Sequence, residues 1–153
     1  MAHSRNHDLI LRDEHYTPSW VFEALGIDFD LDVASPIDRS ASNVPSKKAF
    51  TELDNGLEQE WVGRVWMNPP YSQMTPWANK FTAHANGIAL LPVSRSKWFN
   101  AMWEKADAVT ITPHNIKFDR VNEKPKTIAF QTMFFAFGDI SVQAIKNLEF
   151  RVR

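Results

Sequence analysis

The residues best able to do chemistry stand together at Asn68-Pro69-Pro70-Tyr71. Two consecutive prolines fix φ and keep the backbone extended and stiff. The carboxamide oxygen of Asn68 and the carbonyl of Pro69 can then face one point as paired acceptors. An exocyclic amine, such as N6 of adenine, has two N–H donors to give them. Those bonds draw the amine out of conjugation with its ring and aim its lone pair at an electrophile. Positive charge develops on the nitrogen during attack, and preorganised acceptors stabilise it. Tyr71 offers a flat face for stacking a base, and a base held in a duplex must be flipped out to arrive there. No nucleophilic side chain or strong general base is required. The plainer reading is a stiff turn or a polyproline ligand. A Pro-Pro-x-Tyr ligand, however, needs a residue between the prolines and the tyrosine, and none is present.

The elements around this motif predict how it is held. Arg64 to Met67 reads as a short strand running into the motif, and Thr75-Pro76 opens a helix from Pro76 to about His84. Upstream, Thr17 suits an N-cap and Pro18 the first helical position, with Gly26 as the stop. Phe29 to Ala34 reads as a strand ending at Ser35-Pro36, Ile37 to Pro45 as a polar connection and Ala49 to Leu53 as a short strand. Leu57 to Trp61 reads as one helical turn. Ile88 to Val93 has the pattern of a buried strand, Ser96 caps a helix through Lys105, and Ala108 to Thr112 is a further strand. Ile116 to Lys126 reads as charged loop, Thr127 to Phe137 as a β-prone run, and Ser141 to Leu148 as a last helix, with Glu149 to Val152 open to edge pairing. Strands alternating with helices predict an α/β fold with a mostly parallel sheet. Ligands bind such sheets beyond the carboxyl ends of the strands. Asp32 to Pro36, Asn68 to Tyr71 and Pro92 to Arg95 all follow predicted strands, so the three clusters share one rim.

Composition bounds the remaining classes. The chain has 153 residues, 44% hydrophobic and 23% charged, which predicts one globular domain, Met1 to Glu14 forming a flexible N-terminus and residues 15–153 the domain. That length predicts no separate target-recognition domain. With no cysteine there is no disulfide framework, and any metal would need His and carboxylate ligands. The five histidines show no ligand spacing, and the Asp28-Asp30-Asp32 series fails as a calcium loop: Val33 stands at the glycine position and Arg39 at the final glutamate position. We expect no metal. Gly-x-Gly-x-x-Gly and the P-loop are both absent, against a nicotinamide dehydrogenase or an ATPase. No apolar run spans a membrane and the polar start has no signal-peptide core, so the expected location is cytoplasmic. The net charge of −1 argues at first against nucleic acid. The basic residues are nevertheless clustered, and Arg95 with Lys97, and Lys117 with Arg120, form candidate phosphate contacts.

Taken together, these stretches resemble the phage DNA N6-adenine methyltransferases of the Dam type, within the S-adenosylmethionine-dependent amino-methyltransferases. The resemblance is carried by Asp13-Glu14-His15-Tyr16-Thr17-Pro18, by Phe29 to Pro36, by Asp54-Asn55-Gly56-Leu57 with Trp61, and by Asn68-Pro69-Pro70-Tyr71-Ser72 with Trp77. It extends from Asp13 to Gly138. It implies a compact Rossmann-like class I methyltransferase fold with a shortened sheet. It also implies S-adenosyl-L-methionine as cofactor, double-stranded DNA as partner, and a phage-encoded enzyme working in the bacterial host cytoplasm and protecting DNA from restriction. Asn68, Pro69, Pro70 and Tyr71 match the catalytic motif. Tyr16, Thr17 and Pro18 match the segment lining the methionine end of the cofactor, a role compatible with capping. Asp32 matches the acidic residue near the cofactor's amino group or ribose, and Ala34 and Ser35 stand where larger relatives carry glycine. Asp54 matches the position that binds the cofactor's adenine, with turn chemistry as the equal alternative. Ser72, Arg95, Lys97, Lys117 and Arg120 are the expected DNA contacts. Trp77, Trp98 and Phe99 are expected in the core. RNA, a protein amide or cytosine N4 as acceptor, and a catalytically silent binding protein, are the competing readings. A four-base palindrome of the GATC kind is the site that the resemblance suggests.

Overall fold

Alternation of large apolar residues along the strands sets the layering of the molecule. The computed structural model describes residues 15–112, 118–120, 123–126 and 131–151. In chain order its elements are β1 (His15–Tyr16), α1 (Ser19–Leu25), β2 (Phe29–Asp32), β3 (Ser46–Ala49), β4 (Val65–Met67), α2 (Met74–His84) and β5 (Gly87–Pro92). There follow α3 (Lys97–Lys105), β6 (Ala108–Ile111), β7 (Phe118–Arg120), β8 (Glu123–Lys126), β9 (Thr132–Phe137) and α4 (Asp139–Arg151). Single 3-10 turns lie at Arg39–Ala41, Gly56–Glu58 and Tyr71–Gln73.

The main sheet has six strands in the order β3-β2-β4-β5-β9-β6. β3, β2, β4 and β5 are parallel, and β9 runs antiparallel to its neighbours β5 and β6. Successive residues face opposite sides. Val65, Met67, Ala89, Leu91, Met133, Phe135 and Phe137 therefore pack on one face, against Trp77, Phe81, Phe99 and Met102 of α2 and α3. Phe29, Trp66, Ile88, Leu90, Phe134 and Ala136 pack on the other, against Val21, Phe22 and Leu25 of α1 and Ala144, Ile145 and Leu148 of α4. A sheet covered on both faces explains why β5 reads as an unbroken apolar run. The result is a mostly parallel, Rossmann-like α/β architecture. Its site-bearing feature is the switch point: from β2 the chain crosses to β3 on one side and later to β4 on the other. Gly87 opens β5 at φ +144, and a Cβ there would collide with the carbonyl oxygen of Val65, so close strand approach requires glycine.

Several expected boundaries move. The first helix has Pro18, not Thr17, at its cap position and begins at Ser19, with Gly26 in the left-handed conformation at its end. β3 lies at Ser46–Ala49, ahead of the expected 49–53, because an edge strand with exposed Lys47 and Lys48 carries little apolar signal. The expected charged loop at 116–126 instead holds β7 and β8, which pair with each other and, through β7, with β1. α4 continues through Arg151, so no edge strand forms at 149–151. The expected flexible segment 1–14, and residues 127–130 of the expected β-prone run, lie outside the described residues. Trp77, Trp98 and Phe99 are buried, as expected.

Candidate active site

The parallel strands β2, β4 and β5 end on one side, and the chain turns there into the segments that the sequence singled out. Between the ends of β2 and β4 lies a cavity of about 380 Å³, within the ~300–1,000 Å³ typical of small-molecule sites. Its walls come from Tyr16 and Thr17, from the loop Asp32 to Ile37, from Ser42 to Val44, from Thr51, Glu52 and Asn55 to Leu57, and from Asn68, Pro70 and Ser72 after β4.

Asp32, the last residue of β2, is 2% exposed and lines this cavity. Burial pushes its carboxyl up to about 7, opposed by the Ala34 N–H, which donates to Oδ1 at 3.2 Å, and by the charge of Arg39. A carboxyl held this far from water is a strong partner for a cation or a hydroxyl brought into the cavity. Ala34 and Ser35 follow on the same wall, and the Ser35 N–H donates to Phe50 O at 2.8 Å, which continues the β2–β3 pairing past the strand end. Gly56 closes the floor. A Cβ there would collide with Val33 O, and Trp61 Nε1 donates to the Gly56 carbonyl at 2.8 Å. Asp54 does not line the cavity: its Oδ2 accepts the Thr51 N–H at 2.9 Å, so it closes the turn, and Thr51, Glu52 and Asn55 face the cavity in its place.

The Asn-Pro-Pro-Tyr motif leaves β4 as expected. Asn68 is half-buried on the cavity wall, and its Nδ2 donates to Thr17 Oγ1 at 3.3 Å. Pro69 is buried and does not line the cavity, whereas Pro70 does. Tyr71 starts a 3-10 turn and donates its hydroxyl to Leu90 O at 3.2 Å, which ties the motif to β5. It faces a second, open groove with Ser72, Pro92, Val93, Ser94, Lys97 and Trp98. Ser72 borders both spaces. The Asn-Pro-Pro-Tyr segment thus lies between the cavity and the more open groove.

Of the other expected site residues, Tyr16 and Thr17 line the cavity, while Pro18 is buried beside it without lining it. Lys97, the first residue of α3, lines the groove; Arg95 is exposed in the preceding loop but does not line it. Arg120 lies in β7, opposite His15, away from the groove in sequence. Lys117 lies outside the described residues. The sequence reading missed Asn43, which lines the cavity and donates from Nδ2 to Thr17 O at 3.0 Å. It sits in a polar connection with no periodicity, so only the closure of that loop reveals it. Among the described residues no group of three His, Asp or Glu could hold a metal, and no helix is long and apolar enough to cross a membrane.

The doubly wound sheet, with its cavity at the switch point, defines a protein of the Rossmann-like methyltransferase class. Comparison with known proteins narrows this. A family model described as DNA N-6-adenine-methyltransferase (Dam) matches residues 5–135. A curated DNA N-6-adenine-methyltransferase of Haemophilus phage HP1 (strain HP1c1) is 34% identical over 119 residues, which cover 70% of this chain and 66% of that protein. The chain therefore spans just under two thirds of that relative's length. No solved structure matches the chain. The chain belongs to the DNA N-6-adenine-methyltransferase (Dam) family.

Proposed function

We propose that the chain transfers a methyl group from S-adenosyl-L-methionine to the exocyclic N6 of adenine in double-stranded DNA. The observation that carries this reading is the position of Asn68-Pro69-Pro70-Tyr71 as the wall between the cavity and the groove. A methyl donor held on one side meets an amine presented from the other. The cavity's donor set fits the cofactor. Asp32 supplies a buried carboxylate for its amino group or ribose, and Ser35, Asn43, Asn55 and the small Ala34 allow close polar contact. When bound, the cofactor supplies a methyl group on a positively charged sulfur.

The chain's own residues do the rest. Asn68 Oδ1 and the Pro69 carbonyl accept the two N–H groups of the target amine and turn its lone pair toward the cavity. As the methyl group passes from sulfur to nitrogen, the same two dipoles would stabilise the positive charge that grows on nitrogen until its surplus proton is lost to water, and the Pro69 carbonyl needs no reorganisation because the prolines fix its backbone. Tyr71 stacks on the flipped base from the groove side, and its bond to Leu90 O keeps the ring from swinging with it. Arg95 and Lys97 counter phosphates at the groove, so a chain of net charge −1 binds DNA through a local basic rim.

The test replaces Asn68 with alanine and measures transfer of labelled methyl to plasmid DNA beside cofactor affinity by calorimetry. The expected outcome is loss of transfer with cofactor affinity kept within about threefold, the tolerance for an unperturbed binding site. Transfer that survives in Asn68→Ala refutes the assignment. Mapping the methylated sites on the same plasmid tests whether the recognised sequence is of the GATC kind.

A further inference from the structure

Thr17 stands where a helix cap belongs, yet it does not cap. Pro18 occupies the cap position of α1 and no side chain caps the helix. The residue is 4% exposed, and a hydroxyl so buried needs a partner. It finds one 51 positions away: Oγ1 accepts from Asn68 Nδ2 at 3.3 Å. Its carbonyl is gripped as well, accepting from Asn43 Nδ2 at 3.0 Å. Residue 17 is thereby fixed between the loop after β2 and the motif after β4.

We infer that Thr17 is a positioning residue that selects which end of the Asn68 amide faces the target amine. The inference rests on the amine-methylating reading above. An asparagine side chain ends in an acceptor oxygen and a donor NH₂ of nearly the same shape, so packing alone does not choose between them. Only the oxygen can accept from an amine; the opposite orientation sets N–H against N–H. Holding Nδ2 on Thr17 turns the acceptor end toward the substrate.

A threonine hydroxyl can also donate, which would tolerate the flipped amide. Thr17 lines the cavity, and an anionic acceptor bound there would accept a hydrogen bond from its hydroxyl. Oγ1 is then an acceptor only, and the orientation of Asn68 becomes single-valued. A carboxylate-bearing ligand in the cavity therefore sets the amide before the base arrives. Valine at 17 keeps the shape and loses the polarity; serine keeps the polarity. An aspartate at 68 has two equivalent acceptors, so it needs no such selection.

The experiment measures kcat, the KM for DNA and the cofactor Kd for the wild type, Thr17→Val, Thr17→Ser, Asn68→Asp and the double variant Thr17→Val/Asn68→Asp. We expect Thr17→Val to lower kcat at saturating cofactor roughly tenfold, the size of one hydrogen bond, with the KM for DNA changed by less than about threefold; the cofactor Kd rises as well, because the hydroxyl also bonds the ligand in the cavity. Thr17→Ser recovers most of the loss, and the valine penalty shrinks to under about twofold in the aspartate background. Equal penalties in the two backgrounds, failure of serine to rescue, or an unchanged kcat at saturating cofactor would each overturn the role. Nuclear magnetic resonance of the Asn68 side-chain amide pair, identified by its disappearance in Asn68→Asp, reads the same link without turnover. We expect that pair to shift when S-adenosylhomocysteine is added to the wild type and to Thr17→Ser but not to Thr17→Val; the same response in all three overturns the inference. If the wild type methylates no adenine, the functional reading fails while the amide signal still reports on Thr17.

Discussion

Replacing Asp32 with asparagine should stabilise the protein while weakening its cofactor site. The carboxyl is 2% exposed, and burial pushes it from 3.8 to about 7. Each tenfold change in proton affinity is worth about 1.4 kcal/mol, so the ionised group costs the folded state about 4 kcal/mol at neutral and alkaline pH. The folded chain holds this proton more tightly than the unfolded chain does. Stability from this group is therefore full below about pH 4, falls as pH rises, and is lost above about pH 7. Asparagine keeps the acceptor for the Ala34 N–H and carries no charge. Its own N–H group, placed where a carboxylate oxygen stood, returns about 1 kcal/mol of cost. We expect Asp32→Asn to be more stable than the wild type by about 3 kcal/mol near pH 8 and no more stable near pH 4. The loss of a charge-assisted bond, about 1.5–3 kcal/mol, should raise the cofactor Kd roughly 10–100-fold. Urea unfolding at the two pH values and calorimetry with S-adenosyl-L-methionine give both numbers. A variant with the wild-type pH dependence and an unchanged Kd would refute both the buried charge and its role.

Four further outcomes rest on the same geometry. Gly56→Ala places a methyl against the Val33 carbonyl oxygen, so it should cost about 1–3 kcal/mol in urea unfolding and weaken cofactor binding; a neutral result in both would show that the turn is not the cavity floor. Tyr71→Phe removes the hydroxyl from Leu90 O and should cost about 1 kcal/mol of stability and raise the DNA KM, with the cofactor Kd unchanged. Tyr71→Ala should weaken base handling far more than cofactor binding, as read by DNA KM against cofactor Kd. Arg95→Ala and Lys97→Ala should each reduce the slope of log affinity against log salt by about 1 in DNA titrations. An unchanged slope would move the DNA face elsewhere.

Local signals carried most of the fold and half of the site. β4, β5 and the end of β9 were readable because a sheet buried on both faces leaves apolar runs. The Asn-Pro-Pro-Tyr motif and Asp32 were readable because both sit at the ends of such strands. What was not readable depends on partners distant in sequence. Thr17 has the chemistry of a cap, but its hydroxyl is taken by Asn68, which no local pattern announces. Asn43 looks like any polar loop residue until the β2–β3 connection folds against it. β7 and β8 are polar and short, and β7 is a strand through its pairing with β8 and with β1, about a hundred residues earlier. Asp54 carried equal signals for a ligand and for a turn, and the turn won because the Thr51 N–H lies within reach of its carboxylate. The net charge of −1 says least about the site, since it averages a buried carboxylate and exposed acids such as Glu52 with exposed cations such as Arg95 and Lys97.

The most direct test of the central claim is the identity of the methylated atom. Purified protein is incubated with labelled S-adenosyl-L-methionine and double-stranded DNA, and the product is digested to nucleosides and separated. The account predicts label in N6-methyladenine, abolished by Asn68→Ala. Label in N4-methylcytosine, in RNA or in protein under parallel conditions, or a wild-type protein that binds both cofactor and DNA yet transfers nothing, would contradict it.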